Sequence, residues 1–363
     1  MDEAIKKKLI EKNDKLINMV IERVTRDFFD DIVLIGLTGS FSHNDFHEKS
    51  DLDLCIVHNT VSFGKLWDTF IFDGVGYSFT YISWDNLESK AALERIGVSA
   101  LIDLQIIYCS KPVYLDRLNA LKEKAIKLMA EPINKNALDR AKKHIDFAKQ
   151  EYTNAMLSNC IGTVRYASSR LLFNLINALV SLNNTCIKQG VKRYLDELLK
   201  YNYLPDNFYN KYMSVIESKT IGDIKKASLS LLSGVVQLYD KMYEKYAPKP
   251  SPTYDNLADS YEHLWGNSRH KLAESIALQN KSYAFHIARD IQGSLNSMAE
   301  NIGISMIDII RHFDSDKPEI FMDAFHKALD ELVLEYEKAG REILMFDTFD
   351  ELYNYCMNPN SSM

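Results

Sequence analysis

The stretch Asp31 to Thr60, DIVLIGLTGSFSHNDFHEKSDLDLCIVHNT, constrains this chain more than any other. It opens with an apolar run, Ile32 to Ile35, and breaks at Gly36, Gly39 and Ser40. A polar loop, Phe41 to Ser50, leads into Asp51-Leu52-Asp53-Leu54 and then Cys55-Ile56-Val57. On a strand, residues i and i+2 share a face. Asp51 and Asp53 are therefore expected side by side, with Leu52 and Leu54 turned into the core. Adjacent carboxylates repel one another, a cost that a divalent cation removes, and hard oxygen donors favour Mg²⁺. Gly39 lets the backbone approach a ligand, and the Ser40 hydroxyl with neighbouring N–H groups suits phosphate oxygens. A phosphate grip and a metal grip joined by one short loop form the minimum kit for phosphoryl or nucleotidyl transfer. The bland alternative is an ordinary hairpin with an acidic loop. It has to explain two same-face acids flanked by Leu, Cys, Ile and Val.

Gly39-Ser40, the polar loop and Ser50-Asp51-Leu52-Asp53-Leu54 together resemble the signature of the polymerase-β-like nucleotidyltransferases. The subgroup they most resemble is that of small-molecule enzymes such as kanamycin and lincosamide nucleotidyltransferases. The resemblance implies an α+β fold: an N-terminal nucleotidyltransferase domain with a small mixed β-sheet, followed by all-α helical bundles. It implies ATP, or another NTP, as substrate and Mg²⁺ as cofactor. It implies transfer of AMP to a hydroxyl of a small aminoglycoside-like or lincosamide-like acceptor. By the same resemblance Asp51 and Asp53 coordinate the metal, and Gly39, Ser40 and Ser50 belong to the nucleotide site.

The family places a third carboxylate on a later strand. The matching position here is Ser78, or Thr80 on the same face, and neither is an acid. Three readings stay open. A helical-region carboxylate completes the site, two ligands plus phosphates hold one Mg²⁺, or the protein binds nucleotide without turning it over. Glu94, Asp103, Asp146 and Glu151 are candidates for the missing acid and general base, and Glu151 is carried forward as the catalytic one. Each is equally readable as a surface acid on a helix.

The chain has 363 residues, 46% hydrophobic and 26% charged, enough for two or three domains of ordinary globular composition. Its net charge of −7 moves the expectation from a nucleic acid to a small acceptor, since proteins that track a nucleic-acid backbone carry a basic face. The five cysteines are scattered, with no C-x-x-C, which suggests free thiols in a reducing cytosol. No apolar h-region or 18-residue apolar run occurs, so neither a secretory signal nor a membrane partner is expected. The expected partners are a nucleotide and a small acceptor; homodimerisation is left open.

In chain order, residues 2–29 are expected to form an amphipathic helix packed on the sheet. Ser62 to Trp67 suits a short helical turn, and Asp73-Gly74 between aromatic runs signals a hairpin. Its second arm, Gly76 to Ser83, is expected as one strand of the central sheet, with Ser83 capping the next helix. Ile106 to Tyr108 is expected as the last strand. Domain boundaries are placed at 1–130 for the nucleotidyltransferase domain, 131–247 for a helical bundle of substrate-binding type and 253–358 for a second bundle. Within the first bundle, Arg165 and Arg170 offer planar forks for phosphate or carboxylate, or else pair with a helix acid. The segment from Leu182 onward resembles one found in helical domains attached to such enzymes, matched by Asn183, Lys192, Pro205 and Phe208. Lys192 is there expected either at the nucleotide phosphates or on a solvated face. Ala247 to Pro252 is a proline-rich linker, followed by expected helices at 253–280, 282–301, 303–313 and 317–345. His43 and His47, four residues apart in the acidic loop, suit phosphate or ribose contact better than Zn²⁺, because no zincin glutamate follows.

Overall fold

The computed structural model describes residues 3–42, 46–59, 69–188, 191–248, 251–253 and 255–357. His43, the segment Ser62 to Trp67, Lys249-Pro250 in the linker and the tail from Asn358 lie outside them. The chain divides into two compact units, residues 1–247 and 248–363. Residues 1–130 and 131–247 thus belong to one unit.

The first unit begins with α1 (Glu3–Asp27), whose buried stripe is Leu9, Leu16, Val20 and Val24. The strands follow: β1 (Ile32–Leu37), β2 (Leu54–His58), β3 (Phe70–Phe72), β4 (Val75–Tyr77), β5 (Thr80–Ser83) and β6 (Gln105–Cys109). Four of them form a mixed sheet in the order β5-β2-β1-β6. The central β1 is antiparallel to β2 and β6, while β2 and β5 are parallel. With the helices that follow, the architecture is α+β, as the resemblance implied.

All six residues of β1 are buried, and its register against β2 shifts between Ile32 and Leu34. The extra residue of a bulge turns Val33 and Leu34 to the same side. They join the core beneath α3 (Trp84–Ala91), α4 (Ser99–Ile102) and α5 (Pro112–Ala130), while Ile32, Ile35 and Leu37 pack towards α1. In β2, Leu54 and Ile56 face α1, whereas Cys55 and Val57 face the α3–α5 side.

The Asp73-Gly74 turn forms as the sequence predicts, with positive φ at both residues, 53° and 70°, the geometry of a type I′ hairpin. The arm after it differs from the expectation. Val75–Tyr77 pairs with β3 in a separate two-stranded sheet, and only Thr80–Ser83 joins the main sheet. Tyr77 and Phe79 are both buried beside α1, which anchors the chain where the pairing partner changes. Ser83 caps α3, its side chain accepting from the Asn86 N–H at 3.3 Å.

The helical part is built on α6 (Lys135–Met156) and α7 (Ile161–Leu182), which pack along much of their length, with α8 (Tyr194–Leu198), α9 (Phe208–Glu217) and α10 (Ile221–Tyr246). Pro205 and Phe208 are buried, so they serve this core. Two asparagines close the end of α7. Asn183 Nδ2 donates to the Leu179 and Tyr203 carbonyls, and its Oδ1 accepts from the Tyr203 N–H at 2.9 Å. Asn184 adopts φ 45° and reaches the end of α5, donating to the carbonyls of Leu128 at 2.7 Å and Glu131 at 3.0 Å. Its Oδ1 accepts from Arg140 Nη2 at 3.0 Å. Asn tolerates this left-handed conformation better than most residues.

In the second unit, the helix expected from 253 starts only at Ser260. It runs as α11 (Ser260–His263), a π-helical turn (Leu264–Ser268) and α12 (Arg269–Ala277). α13 (Lys281–Asn301) ends before Gly303, whose φ is 85°. The helix expected over 303–313 is reduced to a 3₁₀ turn, Ile310–His312. The cause is Gln292: its Oε1 accepts from the N–H groups of Ile309 and Ile310, and its Nε2 donates to the Ile307 carbonyl. Those side-chain bonds replace the helical ladder. α14 (Pro318–Ala339) stops at Gly340, φ 67°, where the Arg341 N–H returns to the Tyr336 carbonyl at 2.9 Å. Gly340 thus terminates the helix that the sequence extends to 345. α15 (Phe349–Met357) follows.

Asn184→Ala removes three buried hydrogen bonds and keeps the left-handed backbone without the residue type that favours it. Urea denaturation is expected to show a loss of about 2–4 kcal/mol; a loss below roughly 0.5 kcal/mol would contradict the clamp.

Candidate active site

The end of β1 and the approach to β2 meet over a single glycine. Beyond the last ladder pair, Leu37 with Leu54, the Thr38 N–H donates to the Asp53 carbonyl at 3.0 Å. Gly39 comes next with φ 71°, in the left-handed region that favours glycine. A Cβ built there would lie 1.9 Å from Asp53 Oδ2. Conformation and space therefore both demand glycine. The chain then turns into α2 (Gly39–Ser42), which carries Ser40 half-buried. Ser42 Oγ donates to the Gly39 carbonyl at 2.8 Å, and Gln105 Nε2 of β6 donates to the Ser42 carbonyl at 3.1 Å.

Asp51-Leu52-Asp53 is an extended lead-in to β2. Leu52 and Leu54 are buried against α1, and the two acids are half-buried. The alternation puts Asp51 and Asp53 in phase with Cys55 and Val57, on the side of the sheet that carries α3, α4 and α5. Burial pushes the Asp53 carboxyl above its ordinary pKa of 3.8, and the Asp51 charge raises it further. Ser50 is spent locally: its Oγ accepts from the His47 N–H at 2.9 Å, and its own N–H donates to the His47 carbonyl at 2.9 Å. It braces the acidic loop. His47 is exposed, and its Nδ1 accepts from the Lys49 N–H at 3.2 Å.

The β2–β5 register pairs Cys55 with Thr80. Continued back by two residues, it sets Asp53 against Ser78, which is exposed and carries a hydroxyl. Among the described residues, no group of three or more His, Cys, Asp or Glu side chains is placed to hold a metal ion. The two acids, one half-desolvated and both close enough to interact, nevertheless fit a hard divalent cation as a pair of oxygen donors.

The other sequence candidates are dispersed. Arg170 Nε donates to Glu151 Oε1 at 2.5 Å, and Asn154 Nδ2 donates to Glu151 Oε2 at 3.2 Å. Asp146 is held by Lys142 at 2.7 Å. Asp103 has an Oδ2 that is buried and lacks a hydrogen-bond partner. Arg165 donates to the Ser218 carbonyl at 3.3 Å. Lys192 is exposed in a 3₁₀ turn, Val191–Arg193. Glu94 lines a cavity of about 660 Å³ between the α3–α4 loop and helices α6 and α7, within the first unit. Sequence reasoning missed Thr38 and Gln105, which position the acid and α2, and the cavity wall of Lys90, Arg140 and His144. Of these, only Arg140 and His144, four apart on one helix, left a local signal.

Residues 17–150, from within α1 to within α6, match the family model described as Nucleotidyltransferase domain. No curated protein matches the chain. A solved structure of a nucleotidyltransferase-like protein from Exiguobacterium sibiricum 255-15 is 10% identical, with 71% of this chain and 91% of that chain covered at a TM-score of 0.33. A likeness that distant carries no argument about function.

The raised Asp53 pKa has a consequence for stability. The folded protein holds that proton to higher pH than the unfolded chain, so the contribution is complete below 3.8 and is lost as pH rises through the folded value. At neutral pH, without metal, Asp53→Asn is expected to raise the Tm by about 1–3 °C, and the gain should vanish below roughly pH 4. A lowered Tm at neutral pH would contradict the strained pair. Gly39→Ala is expected to lower the Tm instead.

Proposed function

We propose that this chain catalyses Mg²⁺-dependent transfer of a nucleoside monophosphate, AMP from ATP, onto a hydroxyl of a small molecule. The observation that carries the reading is the Asp51-Asp53 pair set against the Gly39 turn, in a segment that matches a nucleotidyltransferase domain. Asp51 and Asp53 would hold the Mg²⁺. When bound, the metal supplies Lewis-acid charge that offsets the build-up on the α-phosphate and leaving group. Gly39 lets the Asp53 carboxylate pack against the turn that precedes Ser40, and the Ser40 hydroxyl donates to phosphate oxygens. Thr38 fixes the Asp53 backbone, so the carboxylate is oriented before substrate arrives. Lys192, on the exposed 3₁₀ turn, is assigned to the phosphates.

The acceptor hydroxyl needs a base. Ser78 and Thr80 carry hydroxyls, poor bases at neutral pH, so a carboxylate beyond the sheet takes the role. Glu151 is the first assignment. To meet an acceptor hydroxyl it must first leave Arg170, to which it is bonded. Glu94, which lines the cavity, is the competing assignment. Glu151→Gln and Glu94→Gln separate them: the base is the residue whose loss lowers kcat with KM retained.

A second reading is favoured by the Ser78 register and by the lack of a third described ligand. It is a nucleotide-binding module without turnover. Pyrophosphate release with Mg²⁺-ATP over a panel of hydroxylated acceptors distinguishes the two. The transferase reading expects release that falls by roughly a hundredfold or more in Asp51→Asn and Asp53→Asn. Tight ATP binding with no release, unchanged in both variants, would establish the binding module instead.

A further inference from the structure

The cavity between the α3–α4 loop and helices α6 and α7 has a charge opposite to that of the chain. The protein carries a net charge of −7, yet five basic side chains line this cavity, Lys90, Arg95, Arg140, Lys143 and Lys188, against one acid, Glu94. Three separate stretches of sequence supply them: the end of α3 and its loop, the middle of α6, and the segment after α7. Other acids stand near the wall, Asp103 among them, close enough to Cys186 to affect its titration. Glu197 accepts from the Lys188 backbone N–H at 2.9 Å, and Asp146 is held by Lys142.

Two of the cations are partly desolvated and bonded to neutral groups. Lys90 Nζ donates to the carbonyls of Ile96 at 3.1 Å and Gly97 at 3.0 Å. Arg140 Nη2 donates to Asn184 Oδ1. Burial lowers the pKa of both, and the Arg95 charge adds to the effect on Lys90. His144, one turn from Arg140, is pushed towards neutrality by burial, and its Nδ1 is buried with no hydrogen-bond partner. Like charges gathered in a partly buried wall cost stability when unneutralised. Phe147 and Phe173, both substantially exposed, add an apolar flank.

The cavity lies on the same side of the sheet as the acid pair. Lys90 is close enough to Cys55 to affect its titration, and Cys55 is in phase with Asp53. Asp51 and Asp53 are not among the residues lining the cavity.

We infer that this cavity binds the acceptor, and that the acceptor is a phosphate-bearing small molecule with a ring or apolar body. The anion sits against Arg140, Lys90 and Lys143, and the body lies against Phe147 and Phe173. An aminoglycoside is a polycation, and this wall repels it. The word acceptor rests on the transferase reading; anion binding does not.

Isothermal titration of the full chain tests the inference, with ribose 5-phosphate, inorganic phosphate and kanamycin as probes. Each is titrated alone and with Mg²⁺ and a non-hydrolysable ATP analogue at saturation. The expected result is that ribose 5-phosphate binds in both conditions, more tightly than inorganic phosphate, while kanamycin gives no signal. Arg140→Gln is expected to weaken it roughly tenfold. Because Arg140 also holds Asn184, the exposed pair Lys143→Gln/Lys188→Gln serves as a second variant, expected to weaken binding at least about threefold. The inference is overturned if wild-type protein does not bind ribose 5-phosphate, if the variants bind it unchanged, or if kanamycin binds. Displacement by the ATP analogue also overturns it, since the cations then serve the triphosphate. Failure of the analogue to bind would sink the transferase reading alone, because the phosphate titration reads out without it.

Discussion

The close approach of Gly39 to Asp53 fixes much of the first unit. A side chain at position 39 would occupy the space of the Asp53 carboxylate, and a left-handed backbone is needed there in any case. With glycine in place, β1 ends against the lead-in to β2 and the chain leaves the sheet abruptly as α2. The Thr38 N–H extends the ladder by one bond and fixes the Asp53 backbone. Gln105 holds the far end of α2 from the other neighbour of β1. The acid is therefore oriented by backbone geometry, while burial and its neighbour's charge oppose its ionisation. A carboxylate held in that way would gain from a cation placed beside it.

The sheet transmits that placement to the rest of the unit. By alternation β1 serves two cores, one under α1 and one under α3, α4 and α5, and its bulge turns Val33 and Leu34 both to the second. The second core ends at Cys186, in the segment after α7, and Asn184 ties that segment to the end of α5. The helical part is thus hydrogen-bonded to the end of α5.

The features readable in the sequence were those whose cause is local. The Gly-Ser turn, the alternation around Asp51 and Asp53, the Asp73-Gly74 hairpin and the Ser83 cap each depend on a few adjacent residues. The features that stayed hidden depend on partners far along the chain. Gly76 to Ser83 looks like one strand because its composition is uniform, but Tyr77 and Phe79 find burial beside α1 and the pairing partner changes between them. Residues 303–313 have helical spacing, and Gln292, on the preceding helix, takes their N–H groups instead. Glu151 is an unremarkable helix acid in sequence; its Arg170 partner lies across the α6–α7 contact. No motif joins Lys90, Arg140 and Lys188, and only folding gathers them.

The two charged features of the first unit obey one electrostatic rule with opposite signs. At the start of β2, two carboxylates press on each other and one resists ionisation. In the cavity, Lys90 and Arg140 are partly stripped of water and bonded only to neutral groups, beside further cations. Each is a liability in the empty protein, because desolvation disfavours the charged form of any group left without a counter-charge. Evolution tolerates such liabilities where a ligand relieves them. A divalent cation would relieve the first and an anion the second. A reaction whose participants bring both charges to one side of a small sheet would relieve them together. That coincidence of sign and position, more than either cluster alone, favours a phosphate-rich chemistry over a polycationic acceptor.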